Sequence, residues 1–164
     1  MGTVRRAVPE DAAELVRLRG VMIASVNGME PVPGPWQDAA ESTLRARLAE
    51  PDGTLTAFVV QPTESAGGLA ACAVGTIEYR LGGPDNVHGA SGYVFNVVTD
   101  PEHRRRGYSR ACMVALLDWY RQRGVGKIDL KASDEGEPLY RSLGFVRTPD
   151  PAMRLRLDID HRGR

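Results

Sequence analysis

The sequence has no surplus of charge: 21 Lys and Arg are matched by 21 Asp and Glu. A dedicated nucleic-acid binder would carry a basic excess, so that class is set aside. The balance still leaves room for a local basic run, and Arg104-Arg105-Arg106 is one. Cysteine is nearly absent. The two present, Cys72 and Cys112, lie far apart and neither sits in a C-x-x-C pair. They read as reduced, buried, small apolar residues rather than as a disulfide or metal ligands. No metal is implied. No apolar run approaches the roughly 18 residues of a membrane helix, so no membrane partner is expected. The opening MGTVRRAVPED lacks the apolar centre of a signal peptide, which makes the cytoplasm the expected location.

What is present suits one domain spanning residues 1–164. Hydrophobic residues make up 42% and charged ones 26%, which is enough apolar material for a core and enough charge for a wet surface. A domain of this length buries about 70% of the surface of its unfolded chain. The chain shows no internal repeat and no linker long enough to divide it.

The pattern predicts a strand over residues 3–7 and then a helix opened by Pro9-Glu10-Asp11. Pro suits the first helical position, and acids suit the positive end of the helix dipole. Leu15, Leu18, Met22 and Ile23 follow at helical spacing, and Asn27-Gly28 is a natural stop. A second helix is expected over 36–50. Strands are expected over 54–61, 69–81 and 93–99, the last rich in β-branched and aromatic residues. Met113, Leu116, Leu117 and Tyr120 mark a helix from about Gly107 to Gly124. A strand over 127–132, a short helix over 137–143 and final strands over 145–146 and 153–157 complete the order. This is an α+β or α/β sandwich, a mixed sheet with helices packed on it.

Residues 93–107 carry the chemistry. An apolar strand runs into Asp-Pro-Glu-His, then three arginines and a glycine, then a long helix. Gly107 can adopt a backbone conformation closed to other residues. The helix that follows presents unpaired N–H groups and a partial positive charge. With the arginines these make an anion site suited to a diphosphate. The plain alternative is a surface turn with a solvated basic run. The segment is neither a Walker A loop nor a Rossmann fingerprint, since both spacings are missing.

Arg104-Arg105-Arg106-Gly107-Tyr108-Ser109 resembles the [Gln/Arg]-x-x-Gly-x-[Gly/Ala] pyrophosphate loop of the GNAT superfamily of N-acetyltransferases. Val97 to Arg104 resembles the strand end and x-Pro-x-x-Arg that precede that loop. Leu139-Tyr140-Arg141-Ser142-Leu143-Gly144-Phe145 resembles the family's Leu-Tyr-x-x-x-Gly-Phe signature. Two departures stand out. Ser109 replaces a usual Gly or Ala, and Thr99 replaces a common Val or Ile. The serine hydroxyl is expected to be within reach of a phosphate.

The resemblance implies a mostly antiparallel mixed sheet with helices on both faces and two central strands splayed apart. It implies acetyl-CoA as co-substrate. The backbone of Val97, Val98 and Thr99 would hold the pantetheine arm, and residues Arg104 to Ser109 the pyrophosphate. A backbone N–H near Val98 would polarise the thioester carbonyl. Tyr140 would lie beside the sulfur as general acid. Glu78 is the candidate base that accepts the amine proton, and a solvent-facing strand glutamate is its plain alternative. Trp36 and Asn96 are candidate acceptor contacts. Trp36 reads equally as core, and Asn96 equally as a bulge residue that satisfies buried backbone. Asp134, Glu135 and Glu137 read as a solvated loop. The implied acceptor is a primary amine of a small molecule or peptide. A homodimer is also implied by the resemblance, and an acyl-CoA-binding sensor without transfer activity is the competing reading.

Overall fold

The computed structural model describes residues 2–64, 66 and 68–159. Its strands are β1 (Gly2–Arg6), β2 (Leu55–Pro62), β3 (Ala71–Tyr79), β4 (Ala90–Thr99) and β5 (Ile128–Leu130). Its helices are α1 (Ala12–Asn27), α2 (Pro35–Ala49), α3 (Tyr108–Gln122) and α4 (Glu137–Ser142). Among the described residues the five strands form one sheet in chain order. The first three pairings are antiparallel, and only β4 with β5 is parallel.

Sequence signals explain most boundaries. Pro9 opens a 3-10 turn that leads into α1, where Asp11 accepts the Val8 amide at 2.8 Å and both arms of the Arg5 guanidinium. Helix α1 ends on Gly28 at φ 75°, whose N–H bonds to the Ala24 carbonyl. That left-handed stop is cheap only for glycine and a few polar residues. Helix α2 begins at Pro35, with the Gly34 amide held by the Gln37 side chain at 2.9 Å.

Two apolar layers form because the sheet is covered on both faces. Ala71, Ala73, Ile77 and Val94 pack against Cys112, Met113, Leu116 and Tyr120 of α3. On the other face Val59, Cys72, Val74 and Val98 pack against Leu15 and Leu18 of α1, with Leu44 and Leu48 of α2 at the margin. Burial pushes both cysteine thiols up, Cys112 to about 12, which suits the expected inert apolar role.

The β3–β4 register slips in the middle. Cys72 faces Val98 and Val74 faces Phe95, so β4 carries one extra residue there. Asn96 sits in this β-bulge at φ 56° and is buried. Asparagine tolerates that left-handed conformation better than most residues. Beyond Val94, β4 continues for five residues with no β5 partner, because β5 pairs only with Gly92, Tyr93 and Val94. The two strands thus part in a V.

The final strands are a correction. Residues 145–146 and 153–157 form no strand. Alternation alone does not make a strand, since a ladder partner is also required, and among the described residues none pairs with these.

Tyr120 ties the splayed region together. Its hydroxyl has one proton, shared between the carbonyls of Thr76 on β3 (3.0 Å) and Tyr93 on β4 (3.1 Å). The ring fills the space over Gly75 and Gly92; a Cβ on Gly92 would meet the ring at 2.6 Å. Tyr120→Phe removes that shared bond and is expected to lower unfolding stability by about 1–3 kcal/mol in urea titration. Gly92→Ala is expected to cost about 1–3 kcal/mol by overpacking the same contact.

Candidate active site

The opening between β4 and β5 leads into a cleft of about 390 Å³. One wall is the free edge of β4, Val97 to Thr99. The floor is the turn into α3, with Arg104, Arg105, Gly107, Tyr108 and Ser109. The opposite wall is Ser133, Glu135, Gly136, Leu139 and Tyr140. Helix α1 closes a side with Met22, Ser25 and Val26.

The turn has the shape of an anion cradle. Arg105 at φ 63° and Gly107 at φ 76° both take left-handed conformations, two residues apart. Alternating hand turns successive amides toward one point, and the first-turn amides of α3 have no intrahelical partner. Nothing lies within 4 Å of where a Gly107 Cβ would be, so the glycine serves its φ and leaves the approach open. All three arginines are exposed, and Arg104 and Arg105 line the cleft whereas Arg106 does not.

The two departures from the motif meet each other. The hydroxyls of Thr99 and Ser109 lie 2.6 Å apart, so the serine spans the mouth of the V and fastens the end of β4 to the first turn of α3. Tyr108 lines the cleft and accepts a hydrogen bond from the Gly2 amide at 3.2 Å, tying α3 to β1.

Tyr140 sits on α4, half-buried, with Phe145 edge-on at 6.0 Å between ring centroids. Burial pushes its phenol above the ordinary tyrosine value, so it stays protonated at neutral pH. Its short helix is anchored by Glu137, which accepts two bonds from Arg147 (2.6 and 2.8 Å) and pairs with Arg141 at 3.0 Å. Arg147 above all, with Arg141, holds the Glu137 carboxyl down to about 2, against the opposing cost of desolvation.

Other expected residues are placed elsewhere. Glu78 lies outside the cleft: its side chain is 62% exposed and is paired with Arg80 at 3.0 Å. It faces Ser91, six residues along β4 from Val97 and hence about 20 Å away. Trp36 packs on its own turn, its indole N–H donating to the Val32 carbonyl at 3.0 Å, and it too lies outside the cleft. Asn96 accepts from Arg19 of α1 at 3.2 Å, and its carbonyl accepts from the Cys72 thiol. It is therefore a bulge residue satisfied by protein.

Sequence reading missed the α1 wall and the place of Glu135. Helix α1 is pinned over the strand end by Arg17, which bonds to Glu14, to Asp100 (2.8 Å) and to the Leu69 carbonyl (2.9 Å). Partners 83 residues apart leave no local signal.

The Glu137 anchor gives a pH prediction. A carboxyl whose folded pKa is depressed stabilises the fold above its unfolded value and loses that contribution as pH falls. The anchor is expected to weaken from the ordinary carboxylate range near 4.5 down to about 2, and a carboxyl NMR titration should place the Glu137 midpoint near the lower figure.

Comparison with known proteins agrees with this geometry. A family model described as the acetyltransferase (GNAT) family matches residues 25–145. A glucosamine 6-phosphate N-acetyltransferase from Trypanosoma brucei brucei is 37% identical over 68 residues, 42% of this chain and 46% of that protein. The ribosomal protein bS18-alanine N-acetyltransferase of Escherichia coli K12 is 38% identical over 55 residues, 32% of this chain and 37% of that one. The matched stretch thus spans less than half the length of these curated relatives. A predicted acetyltransferase from Clostridium acetobutylicum, solved with acetyl-CoA, superposes with a TM-score of 0.79 at 25% identity over 96% of both chains. With the family model covering most of its length, the chain belongs to the acetyltransferase (GNAT) family.

Proposed function

We propose that this protein transfers an acetyl group from acetyl-CoA to a primary amine of a small molecule or peptide. One observation carries the reading: the left-handed pair Arg105 and Gly107 lies at the foot of the free β4 edge, facing Tyr140 across one cleft. An anion cradle, an unpaired strand edge and a protonated phenol are the parts such a transfer needs.

The residues present suit acetyl-CoA. Arg104, Arg105 and the amides from Gly107 to Ser109 would hold its pyrophosphate. The free β5-side edge of Val97 to Thr99 would accept the amide-bearing arm as an added strand. Bound there, acetyl-CoA supplies an acyl group activated as a thioester. An N–H of the β4 edge near Val98 would stabilise negative charge on the acyl oxygen. Tyr140 would donate its proton to the departing sulfur and regain one, through water, from the nitrogen that forms the new amide bond. The amine must arrive neutral, although an alkyl ammonium is mostly charged at pH 7. With Glu78 outside the cleft, that proton leaves through water. The named relatives act on a sugar phosphate and on a ribosomal-protein alanine, which supports an amine acceptor and leaves its class broad. The reading carries with it a cytoplasmic location, since acetyl-CoA is an intracellular metabolite, and a homodimer.

Thermal unfolding with acetyl-CoA at about 100 times its Kd should show about 2.7 kcal/mol of stabilisation, a rise in Tm of about 5–10 °C. Arg104→Ala with Arg105→Ala should erase most of it, whereas Arg106→Ala should not. No shift at saturation would sink the reading. Tyr140→Phe is expected to keep the shift and to lower kcat about 100-fold or more on an accepted amine. Because burial raises the Tyr140 pKa, no alkaline loss of its donor function is expected below about pH 10. A full shift with no turnover on any amine would favour a sensor.

A further inference from the structure

Acetyl transfer to an alkyl ammonium needs a place for the first ammonium proton, and the cleft holds one. Among the described residues its lining carries a single carboxylate, that of Glu135. Glu135 stands on the same wall as Tyr140. The next residue is Gly136, and the Tyr140 ring lies against it: a Cβ there would meet the ring at 3.0 Å. The acid and the phenol are thus neighbours on one wall, although five residues separate them in sequence. We propose, on the acetyl-transfer reading above, that Glu135 takes the proton of the incoming ammonium, directly or through one water.

The backbone holds this acid in place. The Gly136 amide is shared between the Ser133 carbonyl and the Ser133 hydroxyl, both at 3.1 Å. The Glu137 amide reaches the same carbonyl at 2.9 Å. These bonds fix the chain on both sides of Glu135 and leave its side chain exposed. The turn also separates its two acids. Asp134 lines a second cleft of about 340 Å³, which shares Tyr140 with the first, whereas Glu135 lines the first.

The charges nearby leave Glu135 available. Arg141 and Arg147 pair with Glu137, and Arg110 donates to the Ser142 hydroxyl at 2.6 Å. Glu135 has no ion pair among the described residues. The titratable groups that share its cleft are Arg104 and Arg105 on the floor, Tyr108 and Arg110 of α3, and Tyr140. Helix α1 and the β4 edge contribute none. With a pyrophosphate on Arg104 and Arg105 their charge is compensated, and Glu135 is the anion that an arriving ammonium meets. The ammonium passes one proton to Glu135, and the freed lone pair forms the C–N bond as the C–S bond breaks. The sulfur takes the Tyr140 proton, and Tyr140 regains one from the nitrogen through water. Glu135 then releases its proton to solvent. Ammonium and thioester have become amide, thiol and one free proton.

Ethylamine, benzylamine and an alanine tripeptide are the probe acceptors, with coenzyme A release followed by a thiol dye. Turnover by the wild type on any of them establishes transfer itself. On that amine Glu135→Gln is expected to lower kcat about 100-fold or more and to lose the fall of kcat that the wild type shows on the acid side. It should keep the acetyl-CoA thermal shift, since an exposed turn residue outside the cradle is not needed for that binding. Asp134→Asn should behave as the wild type in all three. A readout without turnover uses the complex with coenzyme A: adding the amine should move the Glu135 carboxyl NMR signal and leave that of Asp134 unmoved. A kcat unchanged in Glu135→Gln, or a loss confined to KM or to the acetyl-CoA shift, would overturn the role of Glu135 and leave acetyl transfer standing. A wild type that turns over no amine would overturn both.

Discussion

The cleft depends on the single extra residue that β4 carries at Asn96. On its β3 side, β4 must satisfy a continuous ladder, and it does so up to Thr99. On its β5 side it is released after Val94. The bulge reconciles these demands. It shifts the phase of the strand, so that Val94 and Val97 both face α3 while Phe95 and Val98 both face α1. The backbone beyond it turns an unpaired edge toward the gap. Satisfying the bulge takes a buried amide side chain, the Arg19 guanidinium and the Cys72 thiol, which together occupy the register slip between β3 and β4.

Around that point the structure is fastened from three directions. Tyr120 locks β3 to β4 below the split, Arg17 holds α1 against the strand end, and the Thr99–Ser109 pair joins strand to helix at the mouth. Each fastening is polar, and the Tyr120 bonds, the Thr99–Ser109 pair and the Arg17 bond to the Leu69 carbonyl are partly shielded from water, where one bond counts for more than on an open surface. The opposite wall is set up differently. Helix α4 is a single short segment that could not hold itself together alone, and the Glu137 pairs with Arg141 and Arg147 compensate.

Much of this could be read along the chain. Helical spacing, the Pro9 and Gly28 boundaries, the strand ending at Thr99 and the arginine-glycine turn are all local signals, and all are found within a residue or two of their expected places. The motif also marked the cleft floor and Tyr140. What sequence reading could not place depended on distance in space. Glu78 has the chemistry of a base but pairs with Ser91, six residues along β4 from Val97 and outside the cleft, and only the register reveals it. Trp36 turned onto its own loop because a carbonyl was waiting four residues earlier. Met22, Ser25 and Val26 line the cleft because a salt-bridge network across the fold swings α1 over it, and no run of neighbouring residues announces that. The terminal alternation had the pattern of a strand and lacked its partner.

The two thiols carry a consequence of their own. Cys72 and Cys112 are fully buried, and their ionisation is pushed well beyond physiological pH. Thiol–disulfide exchange proceeds through the thiolate, so neither side chain can attack a disulfide or be trapped by one. The proposed reaction releases a free thiol with every turnover. A protein with no reactive sulfur of its own cannot be capped by its product, and a thiol-trapping dye would follow coenzyme release against a silent background.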